Sequence, residues 1–316
     1  MQGNAGPVRI GILGAGAMGS YFGVFLALAG HDVVLVDEDA GRMAAVERQG
    51  LTLLQSSSCR TAALCAGCKP SLLAEVEVVV VLTKANRLDA ALGMASAHVD
   101  AAAKVVVLCN GLGCREVARH WVHPEHLFYG TTAAGAVLVG QSAVRETVRG
   151  DTYIGRFTGG RDEELLDLAA RFTEASLTTV ASDDVDCWIW TKLLVNVAFN
   201  AATSVVGSCN GSMVETDPGR NLVKELVEET ASVASGLGVR LQCRDPVEYV
   251  LQVGTKIAQQ RSSMLQDLEH RRATEVDYIN GAVVEEARRV GLGAPANSVL
   301  TCLVHLREHE LGIFRQ

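Results

Sequence analysis

Gly14-Ala15-Gly16-Ala17-Met18-Gly19 directly follows a short apolar run and opens a helix-compatible one, the placement a phosphate-binding turn requires. Gly14 permits the tight turn, Gly16 lets a pyrophosphate approach the backbone, and Gly19 allows the helix to pack close to its strand. The phosphates would meet the first turn of the helix, at Ala17 and Met18, where free N–H groups and the helix dipole favour an anion. Asp37 ends the next strand, where an acid accepts hydrogen bonds from the adenosine ribose hydroxyls and repels a 2′-phosphate; this favours NAD(H). Arg42 stands close enough in sequence to leave NADP(H) open. A second polar set lies far along the chain. Lys192, Asn196 and Asn200 recur at i, i+4 and i+8, so a helix carries them as one slightly drifting stripe. The residues around them are apolar, which puts the stripe in a cleft or core, where an unpaired ammonium is costly.

The elements that must position these groups follow from periodicity. Short apolar runs at 8–13, 33–36, 76–83 and 104–109 read as buried parallel strands. Helix-compatible stretches at 17–29 and 86–98 lie between them, and the alternation predicts an open parallel sheet with right-handed crossovers. Residues 133–154 read as shorter strands with Gly turns at an antiparallel edge. After a helix at 163–175 the character changes, and long helical runs at 186–206, 217–236, 245–260 and 275–290 predict an all-helical second domain. The boundary is placed near Val180, giving domains 1–180 and 181–316. Thr274-Glu275-Val276-Asp277 reads as a capping-box-like helix entry, and Gly291, Gly293 and Pro295 stop that helix.

Composition narrows the function classes. With 316 residues, 48% apolar and 20% charged, the chain is no disordered or fibrous protein. A net charge of −8 without a basic block argues against nucleic-acid binding. The longest near-apolar stretch, 18–29, is shorter than the roughly 20 residues a bilayer span needs, so no membrane partner is expected. Nine cysteines are scattered, and only Cys65 and Cys68 form a CxxC. No zinc spacing accompanies that pair, so no metal is expected and the thiols read as free ones in a reducing, cytoplasmic compartment.

Two further strings are specific: Ser262-Ser263-Met264-Leu265-Gln266-Asp267 and Thr274-Glu275-Val276-Asp277-Tyr278-Ile279-Asn280-Gly281. With the glycine loop and Lys192/Asn196/Asn200, they closely resemble the ketopantoate reductase (2-dehydropantoate 2-reductase) family, in order over nearly the whole chain. Lys84, Asn110-Gly111 and the segment from Thr132 to Ala136 are similar to that family's cofactor-side elements. The resemblance implies a Rossmann-type doubly wound α/β sheet, a helical substrate and dimerisation domain, and NADP(H)-dependent reduction of the 2-keto group of 2-dehydropantoate to (R)-pantoate. Lys192 fits the general acid for the developing alkoxide, since an unperturbed pKa of ~10.4 keeps it an ammonium at neutral pH. Asn196 and Asn200 would orient Lys192 or the substrate's polar groups. By resemblance, Ser263 would bind the substrate carboxylate. Glu275 would bind the hydroxyl side or balance the charge of Lys192, kept ionised by the dipole of the helix it opens. Asn110 and Lys84 would line the nicotinamide–ribose side. Asp277 would serve as a cap partner and Tyr278 as packing. The apolar helices of the second domain would suit a homodimer face.

The chain departs from the family pattern at two positions. Asp37 stands where the family usually has a base suited to a 2′-phosphate, and Glu146 where it commonly has His. Both keep open an NAD-dependent (R)-2-hydroxy acid dehydrogenase acting on another 2-keto acid. A non-catalytic NAD(P)-binding sensor is the alternative from a different class.

Overall fold

The computed structural model describes residues 6–313. They divide into two compact units, one taking the chain through Cys109 and again from Cys114 to Val185, the other taking Asn110–Gly113 and the chain from Asp186 onward.

The first unit runs β1 (Arg9–Leu13), α1 (Ala17–Leu28), β2 (Asp32–Val36), α2 (Ala40–Gln49), β3 (Leu51–Gln55), β4 (Ser58–Ala62), β5 (Cys65–Gly67) and β6 (Val78–Val81). It continues through α3 (Leu88–Ser96), β7 (Lys104–Val107), α4 (Cys114–Ala118), β8 (Leu127–Thr132), β9 (Gly135–Val139), β10 (Ala143–Val148), β11 (Thr152–Arg156), α5 (Glu163–Glu174) and β12 (Thr179–Ala181). Among the described residues, one eight-stranded sheet has the order β12-β11-β8-β7-β6-β1-β2-β5. Its pairs are parallel except β11 with β8. The central strands are covered on both faces, which is why β6 is the unbroken run Val-Val-Val-Val with every residue buried. The chain leaves β1 first toward β2 and later returns on its other side as β6. That reversal creates a crevice at the carboxyl ends of the strands, where α/β sheets bind ligands.

A second sheet has the order β4-β3-β10-β9; β9 and β10 are short antiparallel strands within the expected 133–154 stretch, whereas β3, β4 and the separate sheet were not foreseen from the sequence. β4 is the polar run Ser-Cys-Arg-Thr-Ala, mostly exposed, and shows no apolar alternation. Its partner β3 pairs in parallel with β10, about ninety residues on, a long-range pairing that no local pattern encodes. α1 packs against strands of both sheets, and Gly19 to Leu26 are all buried. A helix apolar all round needs cover all round. Tyr21, Phe22 and Phe25 supply its bulk, the Tyr21 and Phe25 rings meeting edge-on at 4.8 Å between centroids.

The second unit, among the described residues, is helical: α6 (Asp186–Val206), α7 (Gly211–Glu215), α8 (Asp217–Gly236), α9 (Pro246–Lys256), α10 (Ser263–Glu269), α11 (Asn280–Arg289) and α12 (Pro295–Glu310). α6 is long and apolar enough to cross a bilayer, but its Leu193, Leu194, Val197, Phe199 and Ala201 are core residues packed against α8, α10 and α12. A buried polar chain sets the register of α6. Asn280 Nδ2 donates to the Val197 carbonyl at 3.2 Å and to Asn297 Oδ1 at 2.9 Å, and Asn297 Nδ2 donates to Glu229 Oε2 at 2.8 Å. Glu229 also accepts from the Ala296 and Asn297 N–H groups at the start of α12.

The helix entry expected at Thr274 is corrected here. Val276–Tyr278 form a 3₁₀ turn and α11 begins at Asn280. Thr274 Oγ1 accepts a 3.4 Å bond from the Val276 N–H, α11 has no side-chain cap at its start, and Asp277 pairs with His305. Glu275 is 3% exposed, so burial of its side chain, not a capping box, decides the local path.

Candidate active site

The glycine loop closes the carboxyl end of β1. Gly14 has φ +90° and its N–H bonds the Val36 carbonyl at 2.9 Å; a Cβ there would stand 2.8 Å from the Thr83 backbone nitrogen. A Cβ on Gly19 would fall 1.9 Å from the Gly14 carbonyl oxygen, so the helix can start this close only without a side chain. Gly16 is different: a Cβ there would meet nothing within 4 Å. Its backbone is approachable from outside, and the first-turn N–H groups of Ala17, Met18 and Gly19 have no partner within the helix. Open backbone beside helix-terminal donors fits a dinucleotide pyrophosphate.

Asp37 and Arg42 bracket this loop. Asp37 Oδ2 accepts from the Ala15 N–H at 2.7 Å and Oδ1 from the Asp39 N–H at 3.0 Å. Arg42 turns inward, 4% exposed, and its guanidinium donates to the Ala15 carbonyl and to Ser20 Oγ. Burial lowers its pKa against the attraction of Asp37 and Asp39. The first base after Asp37 in sequence is thus committed to the loop's underside. Sequence proximity suggested a 2′-phosphate partner; side-chain direction gives Arg42 a different task.

Lys84 is half-buried beyond β6 and precedes the 3₁₀ turn Ala85–Arg87. Thr132 ends β8 buried, its Oγ1 taking the Thr152 hydroxyl at 2.9 Å. Ala136 lies in β9 of the smaller sheet and packs against the first unit's core. Glu146 accepts from the Tyr21 hydroxyl at 2.8 Å and from Gln55 Nε2 at 3.0 Å, a link between α1, β3 and β10. Burial and Glu146 push the Tyr21 hydroxyl above its ordinary pKa, so it stays a donor.

The second unit gathers the other set around Lys192. Its Nζ donates to Asn110 Oδ1 at 2.7 Å, across 82 positions of sequence. Burial lowers the Lys192 pKa to about 8, and the Glu275 carboxylate pulls the other way, holding the ammonium up. Asn110 is presented by Gly111, at φ +87°, where a Cβ would stand 2.1 Å from the Tyr278 carbonyl oxygen. That same carbonyl accepts the Leu112 N–H at 2.8 Å. Tyr278 therefore acts through its backbone, a role its side-chain type could not announce. One turn beyond Lys192, Asn196 is half-buried; Asn200, 8% exposed, continues the stripe into the core. Ser262 is the N-cap of α10, accepting the Leu265 N–H at 3.2 Å and sharing a 2.8 Å bond with Thr203 Oγ1. Ser263, the next residue, is exposed at the first position of that helix.

Models of the ketopantoate reductase PanE/ApbA family match residues 10–159, and of its C-terminal domain residues 184–308. The chain belongs to the ketopantoate reductase family. Its relatives include the 2-dehydropantoate 2-reductases of Halobacterium salinarum, 33% identical over 96% of this chain and 100% of that protein, and of Pyrococcus horikoshii, 33% identical over 95% and 98%. A D-mandelate dehydrogenase solved with NADH and anilino(oxo)acetate superposes with a TM-score of 0.91 at 27% identity, covering 97% of this chain and 100% of that one. A PanE/ApbA family ketopantoate reductase from Ralstonia eutropha gives 0.88 at 28% identity, over 96% and 99%. The family's Rossmann-type unit and helical unit are both present, and the family assignment makes the chain an NAD(P)-dependent oxidoreductase acting on CH–OH groups.

Proposed function

We propose that the chain is a 2-dehydropantoate 2-reductase in which Lys192 delivers the proton to the keto oxygen, giving (R)-pantoate. The observation that carries the reading is the Lys192 ammonium, buried, bonded to Asn110 and electrostatically coupled to Glu275. The glycine loop with Asp37 would hold the dinucleotide, and the reduced nicotinamide, when bound, supplies the hydride. Lys192 meets the alkoxide as it forms: with a pKa near 8 it is charged at neutral pH yet gives up its proton far more readily than an ordinary lysine. Asn110 fixes the direction of the ammonium, Glu275 keeps it protonated, and Asn196 and Ser263 would take the substrate's remaining polar groups, as the family resemblance implies. The deciding experiment is a matrix of NADH and NADPH against ketopantoate and other branched and aromatic 2-keto acids. Turnover of ketopantoate above the rest is expected; none with either nucleotide overturns the reading.

A second reading, an NADH-dependent dehydrogenase of another (R)-2-hydroxy acid, is favoured by Asp37 and by the inward Arg42. It gains support from the D-mandelate dehydrogenase solved with NADH. For either substrate the preferred nucleotide should be NADH. Asp37→Asn keeps an acceptor for the Ala15 N–H but removes the charge that repels a 2′-phosphate. It should raise the NADPH-to-NADH ratio of kcat/KM by about tenfold, the equivalent of ~1.4 kcal/mol. An unchanged ratio removes Asp37 from nucleotide selection.

The pKa of Lys192 also predicts the pH profile. Reduction needs the ammonium, so kcat/KM should be flat near neutrality and fall above pH about 8, by roughly tenfold per unit. Oxidation of the hydroxy acid needs the free amine and should rise over the same interval. A decline beginning only where an ordinary lysine titrates would contradict the assignment.

A further inference from the structure

The segment that carries Glu275 is a single 3₁₀ turn. Its internal bonds include the Val276 N–H to Thr274 Oγ1 at 3.4 Å, the Tyr278 N–H to the Glu275 carbonyl at 3.0 Å and the Ile279 N–H to the Val276 carbonyl at 3.2 Å. α12 grips it on both sides of Glu275. Upstream, Glu308 Oε1 accepts the Thr274 N–H at 2.7 Å, and Glu308 is 3% exposed. Downstream, His305 Nε2 lies 2.8 Å from Asp277 Oδ1. Positions 305 and 308 are three apart and so neighbours on one face of the helix. A carboxylate taken out of water is a costly way to hold a backbone N–H, because its desolvation far exceeds that of a neutral acceptor. At two points the last helix meets the segment bearing the charge that acts on Lys192.

We propose that Glu308 and His305 are positioning residues for Glu275, α12 serving as the brace that keeps this carboxylate directed at Lys192. The inference rests on the proposed role of Lys192, but its test needs no turnover. If the brace is lost, the Thr274–Asp277 turn relaxes, Glu275 moves off, and the ammonium loses the charge that holds it up. Among the described residues, titratable groups facing this turn include Glu308 and His305 from α12, Asp277 within it, and Lys192 from α6. Arg272, with its Nε 3.1 Å from Asp267 Oδ1, flanks the turn on the N-terminal side.

The chain has six lysines, few enough for the Lys192 side-chain nitrogen to be assigned by Lys192→Arg and followed by NMR across pH in the ligand-free protein. Unchanged protein should titrate at about 8. Glu308→Leu should lower that value by about 0.5 unit or more, a threefold change in the ammonium-to-amine ratio. Glu308→Gln, which keeps the acceptor and removes the charge, should restore it. His305→Leu should shift it in the same direction as Glu308→Leu, and by less, because that pair is half-exposed. An equal drop in the Gln and Leu variants would mean that Glu308 acts by its own charge, and the proposal would fall. It would fall equally if the folded Leu variant titrated as the unchanged protein does. Should Glu308→Leu not fold, the Gln and His305 variants decide: an unchanged His305→Leu titration, or a lowered Glu308→Gln one, overturns the brace. Absent turnover with an intact brace would defeat the reductase reading alone.

Discussion

Lys192→Met is expected to lower kcat for keto acid reduction about 10²- to 10⁴-fold, the usual worth of a positioned general acid. The dissociation constant for reduced nucleotide should not change, since the loop that receives phosphates belongs to other elements. The fold should survive, because two effects oppose each other. Losing the 2.7 Å charge-assisted bond to Asn110 costs about 1.5–3 kcal/mol. Removing an ammonium whose charge burial already disfavours returns free energy of the same order. Lys192→Arg separates charge from proton donation. Its guanidinium keeps the positive charge but does not deprotonate in proteins, so kcat should fall in this variant too while substrate KM changes least. Steady-state kinetics, nucleotide fluorescence titration and thermal unfolding read these outcomes. A Lys192→Met enzyme within tenfold of the original kcat would remove the general-acid role.

The second large effect concerns a residue with no functional group. Gly111→Ala should lower kcat about 10²-fold, the penalty of displacing a catalytic constellation by an ångström. The new Cβ would stand 2.1 Å from the Tyr278 carbonyl oxygen, and φ +87° is a conformation that L side chains rarely adopt. Both pressures push the backbone at Asn110 away from Tyr278, and Asn110 Oδ1 is the partner of Lys192 Nζ. Strain at such a position costs roughly 1–3 kcal/mol, so the melting temperature should also fall. Nucleotide affinity, measured on the same sample, should fall far less than kcat, because the phosphates are received at the glycine loop and not at Asn110. Comparing the kcat/KM pH profile distinguishes displacement from simple destabilisation: an Asn110 moved off its partner shifts the alkaline limb, and unaltered Lys192 surroundings leave it in place.

Much of the architecture was legible because it is written locally. The buried strands β1, β2, β6 and β7 are short β-branched runs, and the helices α1, α5, α6 and α8 carry long uninterrupted patterns. Of the second sheet only the β9–β10 stretch was legible; β3 and β4 were not, since β4 is polar and β3 finds β10 only across a long separation. The helix start at Thr274 was misread for a related reason. Thr-x-x-Asp is a sound capping pattern in isolation, but Thr274 gives its N–H to Glu308 and Glu275 is buried, so tertiary contacts overrule the local preference. Arg42 shows the same limit at the level of one side chain. Its distance along the chain from Asp37 was visible, whereas its inward direction depends on the space beneath the loop.

By itself the sequence determined the family, the doubly wound sheet with a helical unit, the glycine loop and the polar stripe headed by Lys192. Each is a matter of residue type at fixed short spacing, and backbone geometry converts such spacing directly into a turn or a helix face. Only the tertiary structure decided what those groups can do. It joined Lys192 to Asn110 across 82 positions, brought the buried Glu275 carboxylate within electrostatic reach of that ammonium, and committed Arg42 to the underside of the loop. The physical reason is that proton affinity and side-chain direction depend on desolvation and on neighbours brought from elsewhere in the chain. Lys192 is an ordinary lysine until packing removes its water, and that removal brings its pKa to about 8.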